Sequence, residues 1–271
     1  MNKQKFFNDV IIIDVESTDV DPRTSEIVEL ASGIYDNNQL ILDEELFNSE
    51  VPISFKASAI NNISQNMIAN LPTTTEGWDR VKEIFRYGNN KYIVAHNSRY
   101  DSYVVNNAYI KAVETYGEEA ELANITNDKW ICTLRIARHI LPKEYPDISF
   151  KLTELRYYFD LDVPDDIVLH RACADVALTG KLLELLVDEA IRLGFVEDSD
   201  TLGEDLYELC WTPINIEKMP FGKHRGELLS DVPNSYLIWL VDNHEAFDSD
   251  SFNFDNDLYI SVKNEMENRL E

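Results

Sequence analysis

Near its start the chain runs Asp9-Val10-Ile11-Ile12-Ile13-Asp14-Val15-Glu16. A continuous β-branched run of this kind is a buried central strand. At its C-terminal end the run turns acidic. Side chains two apart on a strand point to the same face, so Asp14 and Glu16 project together. In open α/β sheets, ligands bind at that end of the strands. Acidic pairs are also common where a strand simply meets solvent, so the pair alone does not decide its use.

Outward from this strand, residues 26–35 and 39–46 read as two more strands. Asp36-Asn37-Asn38 between them is turn chemistry and predicts a hairpin. Residues 75–86 place Trp78, Val81, Ile84 and Phe85 on one helical face, and Gly88 stops that helix. Residues 91–95 form a short strand. Residues 100–113 are helical, with Val104, Val105, Ala108 and Ala112 inward. Residues 130–133 are a strand running into a helix that Pro142 ends. Ser149 is placed to cap a helix over 150–159. A long helix over 172–193 carries Leu178, Leu182, Leu185 and Leu186, and Gly194 closes it. A three-stranded meander followed by alternating strands and helices predicts an α/β fold: a mixed five-stranded sheet flanked by helices, over residues 1–194. Residues 195–216 turn acidic and polar and read as a linker with one short helix. Residues 217–271 read as a small C-terminal module whose core would draw on Leu228, Val232, Tyr236, Leu237 and Trp239.

The 271 residues carry a formal net charge of −26. That balance argues against a non-specific polyanion binder. Most of the acids are expected on solvated faces. If the substrate is nucleic acid, bound cations and local basic patches must offset a repulsive field. No apolar run approaches the roughly 20 residues of a membrane span, and no signal-peptide pattern opens the chain. Cys132, Cys173 and Cys210 are far apart and show no metal-ligand spacing; they read as reduced thiols of a cytoplasmic protein.

Three further residues bear on the acidic pair. Asp101 falls at a helix N-terminus, where Asp is also an ordinary cap. Asp175 sits inside Ala172-Cys173-Ala174-Asp175-Val176-Ala177-Leu178. A carboxylate in an apolar run is costly unless paired or bound to metal. His170 stands five residues earlier. On one helix that offset is about 140°, so His170 is expected on the loop that leads into the helix.

Asp14-Val15-Glu16, then Asn97-Ser98-Arg99-Tyr100-Asp101, then His170-Arg171-Ala172-Cys173-Ala174-Asp175 resemble the three motifs of the DEDDh (DnaQ-like) 3′→5′ exonucleases, in order and spacing, over about residues 9–190. The stretch from Pro52-Ile53 to Ile63-Ser64 resembles the family's text between its first two motifs. Tyr92 to Asn97, Trp130 to Arg138, Phe221-Gly222-Lys223-His224-Arg225-Gly226 and Tyr236 to Leu240 resemble its exodeoxyribonuclease members. One departure is local. Family members often carry Gly shortly after Asp-x-Glu, and this chain has Ser17-Thr18-Asp19-Val20, so the turn there is expected to differ.

The resemblance implies a ribonuclease H-like fold. It implies two divalent ions, Mg²⁺ with Mn²⁺ as a substitute, held by Asp14, Glu16, Asp101 and Asp175, with Asp14 bridging and His170 as general base. The implied reaction is release of nucleoside 5′-monophosphates from DNA 3′ ends, single-stranded or duplex. The motifs do not separate DNA from RNA, so an exoribonuclease is the nearest alternative. A non-catalytic acidic decoy is a second, and it would have no need of the five motif residues. No Gly-rich loop follows the first strand, which argues against a nucleotide-binding oxidoreductase or kinase. Val15, Thr18, Val20, Asn97 and Arg99 are expected to line the substrate. Arg135, Arg138, Lys151 and Arg171 are candidates for a phosphate track or for ordinary surface ion pairs. Lys218, Lys223, His224 and Arg225 form the densest basic cluster, flanked by Gly222 and Gly226; Lys223 and Arg225 are expected to touch the DNA backbone.

Overall fold

β1 (Val10–Ser17) runs through the middle of a five-stranded sheet of order β3-β2-β1-β4-β5, as the apolar run requires. The computed structural model describes residues 2–86, 91–120, 129–141, 150–161 and 171–270. β2 (Ile27–Asp36) and β3 (Gln39–Leu46) complete an antiparallel meander, and two short helices, α2 (Phe55–Asn61) and α3 (Gln65–Ile68), follow it. Asn37 and Asn38 join them, both at positive φ (48° and 65°), the geometry of a tight two-residue turn. On the other side of β1, β4 (Tyr92–Ala95) and β5 (Trp130–Cys132) pair in parallel. The expected mixed sheet is therefore the observed one.

Each face of the sheet has its own core. Val10 and Ile12 of β1 point to one side, against α6 (Thr133–Ile140) and α8 (Ala172–Arg192). Ile11, Ile13 and Val15 point to the other, against α4 (Trp78–Arg86) and α5 (Ser98–Tyr116). This is the period of two of a strand, read on both faces. α8 lies unusually close to the sheet. A Cβ at Gly33 of β2 would meet Val176 Cγ1 at 2.7 Å, and one at Gly180 of α8 would meet Leu40 Cδ2 at 2.8 Å.

Two features of the first unit, Met1–Cys210, depart from the sequence reading. The opening residues form α1 (Asn2–Asn8), which buries Phe6 and Phe7. In the stretch read as a linker, α9 (Leu202–Trp211) places Leu202, Leu206 and Cys210 in the core beside Val196. Four-residue spacing puts those three side chains on one helical stripe, while Glu204, Asp205 and Glu208 dominate the composition. The helix expected over 150–159 is shorter, α7 (Leu152–Tyr158); Ser149, Gly88 and Pro142 lie outside the described residues.

The second unit, Trp211–Glu271, has a separate core of Met219, Leu229, Val232, Leu237, Leu240, Phe247, Leu258 and Val262. α10 (Asn234–Asn243) and α11 (Asn256–Asn268) enclose it. The expected core residues divide: Val232 and Leu237 are buried, but Leu228 is 42% and Trp239 50% exposed. Among the described residues no helix is long and apolar enough to cross a membrane.

Candidate metal centre and active site

Strand parity places the acids. Asp14 and Glu16 continue the face begun by Val10 and Ile12, the face covered by α8. α8 carries Asp175 in its first turn, so its start lies over the end of β1. One carboxylate oxygen from each of Asp14, Glu16 and Asp175 falls within 4.8 Å of the others. Asp101 arrives from the first turn of α5 and is buried. The β1–β4 pairing ends at Ile12 and Val94, and beyond it the Val15 N–H donates to Asp101 Oδ1 at 3.2 Å. Four acids separated by up to 161 positions thus meet at one strand end. His170 lies outside the described residues.

The acids pay a mutual electrostatic cost. Burial, then the charges of Asp101, Asp175, Glu16 and Glu29, hold Asp14 well above the usual carboxylate range. Burial and the same neighbours push Glu16 up to about 8. Burial pushes Asp101 up to about 7, although the Val15 N–H bond favours its charged form. Half-buried carboxylates in one small volume resist simultaneous ionisation. A divalent cation reverses that cost, and an all-oxygen carboxylate donor set is the chemistry that hard cations select. The residues present therefore fit a divalent-metal centre.

Sequence reasoning missed a fifth acid. Glu29, directly opposite Glu16 across β1 and β2, is fully buried. Arg171 Nε donates to its two oxygens at 2.8 and 3.0 Å, Arg171 Nη2 donates as well, and the Ala172 N–H donates at 3.0 Å. A buried carboxylate is tolerable when paired and hydrogen-bonded in this way. The pair ties the start of α8, and hence Asp175, to β2. It also gives Arg171 the ion pair that stood as the alternative to a phosphate track. The available signal was a charged residue inside Ile27-Val28-Glu29-Leu30-Ala31.

The other expected contacts fall in two groups. Val20, Asn97 and Arg99 are exposed, and Asn97 is left-handed at φ 69° just before α5. Val15 and Thr18 are buried. The Thr18 hydroxyl accepts from the Glu26 N–H at 3.0 Å, and the Thr18 carbonyl accepts from Ser54 N–H at 2.8 Å, so Thr18 braces the loop after β1. Tyr100 completes the brace by donating to the Asp19 carbonyl at 2.6 Å. Arg135 donates to the Cys210 carbonyl, and Lys151 pairs with Glu154 at 3.7 Å. Lys223 and Arg225 are exposed on the second unit.

Residues 11–183 match the family model described as Exonuclease (RNase_T). The chain belongs to this exonuclease family. Its members are metal-dependent nucleases, and the five-stranded mixed sheet flanked by helices is the fold of that family. Exodeoxyribonuclease 10 of Escherichia coli K12 is 26% identical over 248 residues, covering 89% of this chain and 93% of that protein. The PolC-type DNA polymerase III of Bacillus subtilis 168 is 26% identical over 198 residues, 72% of this chain but 12% of that protein. Among solved structures, Exonuclease X in complex with 5′ overhanging duplex DNA superposes with a TM-score of 0.53 at 25% identity, over 74% of this chain and 99% of that one. E. coli Exonuclease I in complex with a dT13 oligonucleotide gives 0.56 at 17% identity, over 68% of this chain and 42% of that one, a likeness of fold. Residues 209–248 match a second model, QSregVF_b, whose description is of a quorum-sensing-regulated virulence factor.

Proposed function

We propose that this exonuclease is a 3′→5′ exodeoxyribonuclease that releases nucleoside 5′-monophosphates from DNA 3′ ends. The observation that carries the reading is the convergence of Asp14, Glu16 and Asp175 within 4.8 Å, with Asp101 beside them on the Val15 N–H. Asp14, Glu16, Asp101 and Asp175 would hold two Mg²⁺, or Mn²⁺, with Asp14 shared. Bound there, such ions polarise a phosphoryl oxygen and make water a better nucleophile at neutral pH. The chain's own residues do the rest. Glu29 and Arg171 fix the start of α8, and the Val15 N–H fixes the Asp101 carboxylate. His170 accepts the proton of the attacking water on an imidazole nitrogen and must be neutral to do so. Val20, Asn97 and Arg99 flank the terminal nucleotide, while Thr18 holds the loop that carries Val20. Lys223 and Arg225 touch the sugar–phosphate backbone, which assigns catalysis to the first unit and an accessory contact to the second. The free cysteines Cys132, Cys173 and Cys210 support a reducing, cytoplasmic setting.

DNA is favoured over RNA by the similarity to Exodeoxyribonuclease 10, which spans most of both chains. The test is digestion of 3′- and 5′-labelled single-stranded and duplex DNA, and of matched RNA, with Mg²⁺, Mn²⁺ or chelator. Stepwise loss of nucleotides from DNA 3′ ends, abolished by chelator, is the expected result. Faster digestion of RNA than DNA would replace the reading with an exoribonuclease.

A further inference from the structure

Among the described residues, the second unit presents cations without an acidic partner, in a chain that has 24 Lys and Arg against 50 Asp and Glu. Lys218, Lys223 and Arg225 are exposed, and none forms an ion pair among the described residues. All three sit on one hairpin. Its arms are closed by Met219 N–H to Glu227 carbonyl at 2.9 Å and Gly226 N–H to Met219 carbonyl at 2.8 Å, with Lys218 bridged to Leu228. An excess of acid normally finds surface cations first, so three unpaired cations on one turn point to an outside anion.

The hairpin lies against an aromatic stack. Gly222 has φ 72°, and a Cβ there would meet Tyr236 Oη at 2.5 Å, so the turn presses on α10. Lys223 Nζ stands 4.9 Å from the centroid of the Tyr236 ring. His224 packs edge-on against the same ring at 4.7 Å. Tyr236 in turn stacks on Trp239, with centroids 5.8 Å apart and planes 24° from parallel. Trp239 is half exposed, although sequence reasoning had placed it in the core.

We propose that this hairpin and α10 form a binding platform for single-stranded nucleic acid, with an unpaired base stacked on the Tyr236–Trp239 pair and its flanking phosphates on Lys218, Lys223 and Arg225. A nucleotide is the ligand that supplies a flat π-face and an anion within one repeat. A duplex hides the faces of its bases, and an acidic peptide would use the cations and leave the indole bare. The platform deepens the proposed action on DNA and rests on that reading for its biological use, but its chemistry is independent of catalysis.

The test is binding of the full-length protein to labelled dT12 in chelator, where no hydrolysis occurs and the acid cluster repels phosphate. Stacking contacts of this kind are worth about a 5- to 140-fold change in Kd, so Trp239→Ala is expected to weaken dT12 binding by a factor in that range. Trp239→Phe, which keeps a flat ring, should restore most of the affinity, and the tryptophan quenching that dT12 causes in the parent protein should vanish with it. An abasic oligomer of equal length should bind the parent protein as weakly as dT12 binds Trp239→Ala. Replacing Lys218, Lys223 and Arg225 by Ala should lower the slope of log K against log salt by about 2. Quenching that persists in Trp239→Phe, equal binding of the abasic oligomer, or equal binding of polyglutamate would overturn the platform, the last in favour of an acidic peptide site. Trp239-dependent binding in a protein that releases no nucleotides would leave the platform standing and sink the exodeoxyribonuclease reading; nucleotide release with Trp239-independent binding would do the reverse.

Discussion

The acid cluster at the end of β1 and the basic hairpin of the second unit are electrostatic opposites, and each is incomplete by itself. At β1 the carboxyls are crowded and buried or half-buried; burial raises all three that shift, and the like charge of their neighbours raises Asp14 and Glu16 further. On the hairpin the charges are exposed and merely unpaired. The difference predicts different behaviour. Removing a charge from the crowded site should relieve the fold and destroy function. Removing one from the hairpin should leave the fold indifferent and alter affinity only. Charge density and burial, not charge sign, decide which region is under electrostatic strain.

The largest effect tests the crowded side directly. Asp14→Asn or Asp175→Asn is expected to lower nucleotide release by about a thousandfold or more, as loss of a metal-held transition state requires. In chelator the Asp14 variant should melt at or above the parent temperature. A variant that retains near-normal turnover would refute the site, and one that unfolds would refute the claim of strain.

Glu29 marks the boundary of the comparison, because it is buried like the cluster but already paired. Glu29→Gln leaves the Arg171 guanidinium without its counter-charge, and breaking such a pair costs about 3–5 kcal/mol. Urea unfolding should show that loss, with Mg²⁺ affinity weakened as the start of α8 loosens. Stability equal to the parent would mean that the pair contributes nothing to holding α8.

The pH dependence follows from the direction of the shifts. Unfolded, these carboxyls release their protons near pH 4; folded and metal-free, Glu16 and Asp101 hold theirs until about 8 and about 7. Between those limits the folded state binds more protons, so stability falls as pH rises. In chelator the melting temperature should drop from pH 5 to pH 8, and Mg²⁺ should raise it more at pH 8 than at pH 5. A melting temperature that climbs over that range in chelator would contradict the crowding.

The smallest effect concerns the two faces of α10. Leu237 is fully buried and Trp239 half exposed. Leu237→Ala should cost about 2–5 kcal/mol, and Trp239→Ala below about 1 kcal/mol in spite of its larger side chain. Equal costs would return Trp239 to the core.

Much of the first unit was legible because short-range rules suffice for it. The β-branched run fixed a central strand, and Asn37-Asn38 fixed the hairpin beside it. Strand parity then put Asp14 and Glu16 on one face. α9 was harder to read, since its acidic residues outnumber the four-spaced apolar ones that bury it. α1 was missed because seven residues with two phenylalanines carry too little periodicity to declare a helix.

Motif order and the period of two are properties of the chain alone, and they were enough to name the candidate acids and to put Asp14 and Glu16 on one face. How those acids are held, and that Glu29 stands among them, depends on contacts made across the fold. Glu29 meets Arg171 across 142 positions, and nothing local to either predicts it. Trp239 shares a helix with Leu237, yet whether an apolar side chain is covered depends on what the rest of the fold lays over it. Pairing and burial are relations between distant segments, and a linear pattern can name the candidates without saying which of them meet.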